Sequence, residues 1–247
     1  ALVTHRGHCG AVTVRGFDSV AADEYGHVVP DPLDPDIVYG GKITRYDRST
    51  AEAHDVSPKL VRDASYRVLR TEPIVFSPID PHILYFASNT LWKTSDGGQN
   101  WSGISPDLTR KDWPVPANVG MYASTPEARV TQRGVIYALA PSSLDINRIW
   151  AGTDDGLIHV TVDGGKQWTN VTPPQVVPWA KVSVMEASHF DAQEAYASVN
   201  TIRLDAYRPP ILRPRDGGRR GPSVTSRSPH AATTHAAPRD AHQSSSR

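Results

Sequence analysis

The octet Thr94-Ser95-Asp96-Gly97-Gly98-Gln99-Asn100-Trp101 returns sixty-seven residues later as Thr161-Val162-Asp163-Gly164-Gly165-Lys166-Gln167-Trp168. A recurring Thr-x-Asp-Gly-Gly-x-x-Trp describes a turn with a physical mechanism. The glycine pair admits positive φ, and the Asp carboxylate accepts hydrogen bonds from backbone N–H groups inside the turn. The Trp is expected to fold back onto the sheet that supplies the strands. Self-similarity at a fixed period marks a repeat architecture, in which each unit buries its apolar face only against its neighbours.

A second element precedes each turn. Asp34-Pro35-Asp36-Ile37-Val38-Tyr39 is followed by Asp80-Pro81-His82-Ile83-Leu84-Tyr85, with weaker copies ending at Trp150 and Tyr196. The four aromatic ends lie 46, 65 and 46 residues apart, and the long interval is accounted for by an insertion over residues 111–132. A period near 46 fits one four-stranded blade of a β-propeller.

Strands are short and sharply punctuated. Residues 73–77 are β-branched and aromatic, as an inner strand requires, and Ser77-Pro78-Ile79-Asp80-Pro81 is a turn because two prolines withhold ladder donors. Residues 83–88 and 91–94 form the next two strands around an Asn89-Thr90 hairpin, and Trp101 leads a short outer strand. Residues 135–173 repeat this grammar, and no window holds a sustained 3.6-residue apolar period, so almost no helix is expected. The fold class expected is all-β: a partial β-propeller of about four blades over residues 1–212, an open arc of a ring of about seven blades.

The octets resemble the Asp-box, or BNR, repeat of sialidases, sortilin-like ectodomains and several glycoside hydrolase propellers. The likeness extends to a bacterial group of BNR-repeat, sortilin-like "glycosyl hydrolase" proteins. It is carried by Ile37-Val38-Tyr39-Gly40-Gly41, Thr44-Arg45-Tyr46-Asp47-Arg48, Pro73-Ile74-Val75-Phe76-Ser77-Pro78, Ile104-Ser105-Pro106-Asp107-Leu108-Thr109-Arg110 and Trp150-Ala151-Gly152-Thr153-Asp154-Asp155-Gly156-Leu157. The usual Asp-box has Thr or Ser before its Trp, where this chain has Asn100 and Gln167, so one local hydrogen bond is expected to weaken. The resemblance implies that Thr94, Asp96, Gly98, Trp101, Thr161, Asp163, Gly165 and Trp168 lock hairpins on the outer rim, away from any central pocket. It also implies a secreted, periplasmic or cell-surface protein, although no signal peptide precedes Ala1; the chain reads as trimmed or cut from something longer.

Charge balances at 26 basic and 26 acidic residues, so electrostatics give no reason to propose nucleic acid as a partner. No stretch of apolar residues is long enough to span a membrane. The balance conceals an asymmetry. Residues 213–247 hold seven Arg, no Lys and two Asp, hence a charge of +5 against −5 for the remainder. This segment of Arg, Pro, Ser, Ala and His has no aromatic residue and cannot bury enough apolar surface to offset its ordering entropy, so a disordered basic tail is expected. It opens with Arg215-Asp216-Gly217-Gly218, the start of a third octet, yet Gly221 stands where Trp belongs. A motif interrupted midway points to a frameshift or misassigned end.

Glycoside hydrolysis requires two carboxylates flanking the scissile bond. Candidates are Asp154-Asp155, Asp23-Glu24, and Glu186 with His189 and Asp191. Adjacent carboxylates such as Asp154-Asp155 usually diverge and cap a turn, which makes them weak catalytic candidates. The arginine triad and Tyr–Glu pair of sialidases cannot be assigned. His5, His8 and Cys9 lack a second distant cluster, and one cysteine excludes an intramolecular disulfide, so no metal and no cofactor are expected. The glycosylation patterns Asn100-Trp101-Ser102 and Asn170-Val171-Thr172 overlap the octets.

What remains is a binding surface. The insertion carries Trp113, Pro114, Pro116, Met121 and Tyr122, an apolar set unusual for a linker, and Trp179 is a second loop aromatic. Exposed aromatics stack on sugar rings or anchor peptides, whereas the plainer role is packing over neighbouring blades. The expected function is a non-catalytic extracellular scaffold that binds a protein, peptide or glycan, completed by the rest of the propeller in a longer chain. The alternative is a glycoside hydrolase module working through an acid/base carboxylate pair.

Overall fold

The computed structural model describes residues 2–4, 17–20, 22, 26–58, 66–116, 119–207 and 209–214. His5, His8, Cys9, Asp23, Glu24, the interrupted third octet and the tail expected beyond Pro214 lie outside the described residues.

The period-two segments pair as antiparallel meanders. A small sheet joins β1 (Leu2–Thr4) to β2 (Phe17–Ser19). The first blade follows as β3 (Val28–Pro30), β4 (Ile37–Gly40), β5 (Thr44–Asp47) and β6 (Glu52–Asp55). The second is β7 (Ile74–Phe76), β8 (Leu84–Ala87), β9 (Leu91–Thr94) and β10 (Ser102–Gly103). The third is β11 (Ile136–Pro141), β12 (Ile149–Thr153), β13 (Ile158–Thr161) and β14 (Thr169–Asn170). The fourth has three described strands, β15 (Lys181–Ala187), β16 (Ala195–Asn200) and β17 (Ile211–Leu212). Within each blade the strands pair in chain order. Helix is confined, among the described residues, to 3-10 turns at Gly120–Ser124, Glu127–Arg129 and Ile202–Leu204. The chain is thus an all-β partial propeller, as its period requires.

The turn after each first strand is the same structure four times. Asp31, Ser77, Ser142 and Ser188 donate their N–H groups to the carbonyls of Ile37, Ile83, Arg148 and Glu194, at 2.9 Å in every case. The side-chain oxygens of the same four residues accept the N–H groups of Leu33, Ile79, Leu144 and Phe190. Short polar side chains thereby replace the ladder partners that a turn lacks.

Burial follows from strand parity. In β8 the odd and even residues both go inside, since Leu84 and Phe86 face the first blade while Tyr85 and Ala87 face the third. Three apolar clusters result, each shared by two successive blades. Tyr39, Ile43, Phe86 and Trp92 join the first pair; Tyr85, Leu91, Ile136 and Ile149 join the second; Trp150, Val182, Met185 and Ala197 join the third. Blades three and four approach closely at Gly152, where an added Cβ would stand 2.3 Å from Val182 Cγ1.

Candidate binding site on the loop face

A four-stranded meander sends its first and third turns to one end, and its second turn and the crossover to the next blade to the other. The octets therefore lie on one face of the arc, and the loops bearing Trp113, Tyr122, Asp154, Asp155 and Trp179 lie on the opposite one. Topology alone separates the conspicuous motif from the candidate site.

On the turn face, the two octets share one hydrogen-bond scheme. Thr94 Oγ1 donates to Asp96 Oδ1 at 2.7 Å and accepts the Gly98 N–H, while the Asn100 N–H donates to the same carboxylate. Thr161, Asp163, Gly165 and Gln167 repeat this set. Asn100 restores the bond expected to weaken, because its Nδ2 donates to Asp96 Oδ2 at 2.8 Å; Gln167 contributes only its backbone N–H. These donors, the Asn100 backbone N–H foremost, hold the Asp96 carboxyl down at about 2. Trp101 departs from the expected fold-back. Its ring meets Phe86 of its own sheet edge-to-face at 6.2 Å, but its indole N–H crosses to the carbonyl of Val56 in the preceding blade at 2.7 Å. Each octet is a staple between blades.

On the loop face, the insertion is tied down at both ends. Asp154 Oδ1 accepts the Val135 N–H at 2.8 Å, and Asp155 Oδ2 accepts the Arg110 N–H at 2.7 Å. Asp155 also accepts the Thr153 hydroxyl, and the Arg110 guanidinium reaches back to the carbonyls of Asp155 and Gly156. The neighbouring carboxylates diverge and clamp the two margins of one loop. Both are buried, 5% and 0% exposed, and burial pushes the Asp154 carboxyl up to about 6 and raises that of Asp155. Gly134 is required beside them, since a Cβ there would stand 2.1 Å from Asp155 Oδ2.

A second tie centres on Asp107. Its Oδ2 accepts from Arg67, Asn89 and Gln132 at 2.7, 3.0 and 3.0 Å, and its Oδ1 accepts both the N–H and hydroxyl of Thr109. Burial alone pushes this carboxyl up, but the hydrogen bonds from Thr109 and Arg67 outweigh it and hold it below its ordinary range.

The insertion so anchored meets Trp179. The Trp113 and Trp179 rings lie 4.5 Å apart, tilted by 43°, and Trp179 Nε1 donates to the Pro114 carbonyl at 3.1 Å. Trp113 is the buried floor, 3% exposed, and its own indole N–H finds no acceptor among the described residues. Trp179 lies over it, half-buried, on a backbone with φ +73° that a non-glycine residue rarely adopts. The Arg203 guanidinium stands 5.8 Å from the Trp113 ring and donates to the Asp154 carbonyl, and Lys181 Nζ sits 4.1 Å over Tyr137. A hydrogen bond with Thr71, together with the Lys181 ammonium, draws the Tyr137 phenol down. Tyr122 is 47% exposed on the 3-10 turn Gly120–Ser124 and, among the described residues, its ring stacks on neither Trp. The structure thus brings together Trp113 and Trp179 and leaves Tyr122 apart. It adds Arg203, Lys181 and Tyr137, which come from blades three and four and carry no local motif.

The other carboxylate candidates sit at the far end of the arc. Glu186 pairs with His189 at 2.9 Å, and Asp191 caps its own turn through the Gln193 N–H. A groove of about 200 Å3 runs beside them along the inner strands, lined by Val75, Phe76, Leu139, Pro141 and Met185. Among the described residues no group of three His, Cys, Asp or Glu is arranged to hold a metal ion, and no helix is long and apolar enough to cross a membrane.

No protein-family model matches the chain, and no curated protein matches it. Among solved structures it is similar to the GH74 xyloglucanase from Xanthomonas campestris, with a TM-score of 0.54 and 14% identity over 90% of this chain and 35% of that one. It is similar also to a GH74 enzyme from Niastella koreensis, with a TM-score of 0.53 and 13% identity over 90% of this chain and 33% of that one. The chain therefore spans about a third of the length of these neighbours. At such identity the likeness speaks for fold alone: β-propeller architecture, of which this chain is a part.

Proposed function

We propose that the chain is an arc of a non-catalytic extracellular propeller of the BNR, or Asp-box, kind, which binds a protein, peptide or glycan on its loop face. The observation that carries this reading is the state of Asp154 and Asp155. Both carboxylates are buried and both accept backbone N–H groups that fix the insertion, so they serve architecture. Beside them stands an aromatic shelf of Trp179 on Trp113, with Arg203 near the Trp113 ring and Lys181 over Tyr137. Aromatic faces next to cations suit ligands rich in acceptors, such as sugar hydroxyls and carboxylates or peptide carbonyls.

A second reading, glycoside hydrolysis, has one observation in its favour: an Asp154 carboxyl raised to about 6 has the proton affinity of a general acid. The experiment is a screen of glycans and peptides with the chain and its Trp179→Ala and Arg203→Ala variants, alongside a reducing-sugar assay on polysaccharides including xyloglucan. Binding that is lost in both variants, without turnover and without a change in Tm, supports the scaffold. Turnover abolished by Asp154→Asn would establish the hydrolase instead.

A further inference from the structure

The loop face carries two cations that no carboxylate pairs with. Arg203 donates from Nη1 to the Asp154 carbonyl at 3.1 Å, and its guanidinium carbon lies 5.8 Å from the centre of the Trp113 ring. Lys181 Nζ stands 4.1 Å over the centre of the Tyr137 ring. Among the described residues neither side chain makes an ion pair with an acidic group, whereas Arg48, Arg67, Arg148 and Arg213 all do. A carbonyl and aromatic faces hold the two groups in place without cancelling their charge.

Both cations act on one neighbourhood, since each exerts its charge on Tyr137 and on Asp154. At Tyr137 a hydrogen bond with Thr71 comes first, and the Lys181 and Arg203 charges add to it, so the phenol is drawn below its ordinary value in spite of partial burial. Asp154 does not serve as their counter-ion. Burial dominates its carboxyl, which lies at about 6, its Oδ1 is turned to the Val135 N–H, and Arg203 meets its backbone carbonyl instead. Asp155 is turned to the Arg110 N–H and the Thr153 hydroxyl. Trp179 supplies a different feature. Its indole N–H is spent on the Pro114 carbonyl at 3.1 Å and its ring rests on Trp113, so the half-buried side chain offers a ligand a fixed, flat apolar surface.

We propose that the ligand of the loop face is an acidic polysaccharide, whose uronate carboxylate pairs with Arg203 and Lys181 while the sugar ring lies against Trp179. The proposal rests on the reading of this face as a binding surface and adds the chemical class of the ligand. A uronic acid joins both features in one residue, because its carboxylate sits one bond from a pyranose ring whose C–H face is apolar. The Arg203 fork suits that group, since a guanidinium pairs with a carboxylate through two parallel N–H bonds, and Lys181 adds a point charge. An acidic peptide brings the charge without the flat face. A neutral glycan brings the flat face without the charge. Trp179, Lys181 and Arg203 all belong to blade four and the crossover that leads into it, so the arc itself carries the groups that would touch the ligand.

The test is calorimetric titration of the full chain with oligomers of polygalacturonate and of alginate, each beside the same oligomer with its carboxyl groups reduced to alcohols, and with poly-glutamate. An acidic oligomer is expected to bind, more weakly as salt is added, and to lose about tenfold or more in affinity in Arg203→Gln, in Lys181→Gln and in Trp179→Ala. The reduced oligomers and poly-glutamate are expected to bind more weakly by a similar factor. Equal binding of acidic and reduced oligomers overturns the proposal and leaves a face that binds glycans without regard to charge. Poly-glutamate bound as tightly as the uronates, with Trp179→Ala without effect, overturns it in favour of charge alone. Binding of neither acidic oligomer overturns it too, and the reading of the face as a binding surface is then decided by the wider screen of glycans and peptides. Salt dependence is read on the parent chain, so the proposal can be refuted even where a variant misfolds: an affinity that does not fall with salt rules out the charge pairing.

Discussion

The indole N–H of Trp168 donates to the carbonyl oxygen of Ile104 at 2.8 Å, linking residues sixty-four positions apart in neighbouring blades. Trp101 makes the equivalent contact with Val56. Both acceptors occupy one structural position, just past the outermost strand, since Val56 and Ile104 each donate their own N–H to the residue that opens the preceding hairpin strand, Ile43 and Leu91. The octet is thus a hairpin lock and a blade-to-blade strut, and Thr, Asp, Gly and Trp do separable parts of that work.

Trp168→Phe keeps most of the ring contact and removes the donor. It should cost about 1 kcal/mol, the worth of one hydrogen bond. Trp168→Ala removes the ring as well and should cost roughly 2–4 kcal/mol, below the full core value because the residue is half-buried. Urea unfolding of the two variants measures both, and equal losses would show that the hydrogen bond carries nearly all of the effect.

Gly165 has φ +100°, and a Cβ there would stand 2.5 Å from the Ile104 carbonyl oxygen. Gly98 has φ +90°, and its Cβ would meet the Val56 side chain at 2.9 Å. Left-handed backbone costs an alanine about 1–2 kcal/mol at either site. Gly165→Ala should lose more, because a backbone carbonyl fixed in the interface yields less than a valine side chain. Thermal unfolding ranks the pair, and a greater loss for Gly98→Ala would refute the packing argument.

Local chemistry was legible from the sequence, and chemistry at a distance was not. The octets and the Ser or Asp turns are closed by side-chain bonds spanning two to four residues, so composition at fixed offsets announces them, and the strands from Ile74 to Asn170 are the β-branched and aromatic runs between those turns. The direction of the Trp101 indole could not be read that way, because its acceptor lies forty-five residues upstream. The same holds for Arg67, whose partner Asp107 is forty residues on, and for Arg203 beside Trp113. Asp154-Asp155 is the instructive case. Adjacency suggested divergent turn caps, and they are divergent, but the groups they cap are the two margins of the insertion.

Asp107 holds three segments together through Arg67, Asn89 and Gln132. With both charged partners about a quarter exposed, at 23% and 28%, the Arg67–Asp107 pair should contribute about 1 kcal/mol of coupling in a double-mutant cycle of Arg67→Ala and Asp107→Asn. Hydrogen exchange should quicken across the insertion margins at Leu108 and Trp113 in either single variant. Exchange that quickens only in the second blade's sheet would place the tie elsewhere.

Asp154 gives a pH dependence opposite in sign to that of the octets. Its carboxyl is near 3.8 when unfolded and about 6 in the folded protein, so the folded state holds the proton more tightly. Stability from this group is complete below about pH 4 and is lost as pH rises through about 6. Asp96 runs the other way: its folded carboxyl lies at about 2, so its contribution is present above about pH 4 and disappears as pH falls through about 2. Asp154→Asn keeps an oxygen acceptor for the Val135 N–H and removes the buried charge. At pH 7.5 the variant should be more stable than the parent by roughly 1–3 kcal/mol, and at pH 4 the two should converge. Denaturant titrations at the two pH values measure the difference. A variant that is weaker at pH 7.5 would mean that the ionised carboxylate stabilises the fold there, its hydrogen bond to the Val135 N–H outweighing the cost of burying the charge.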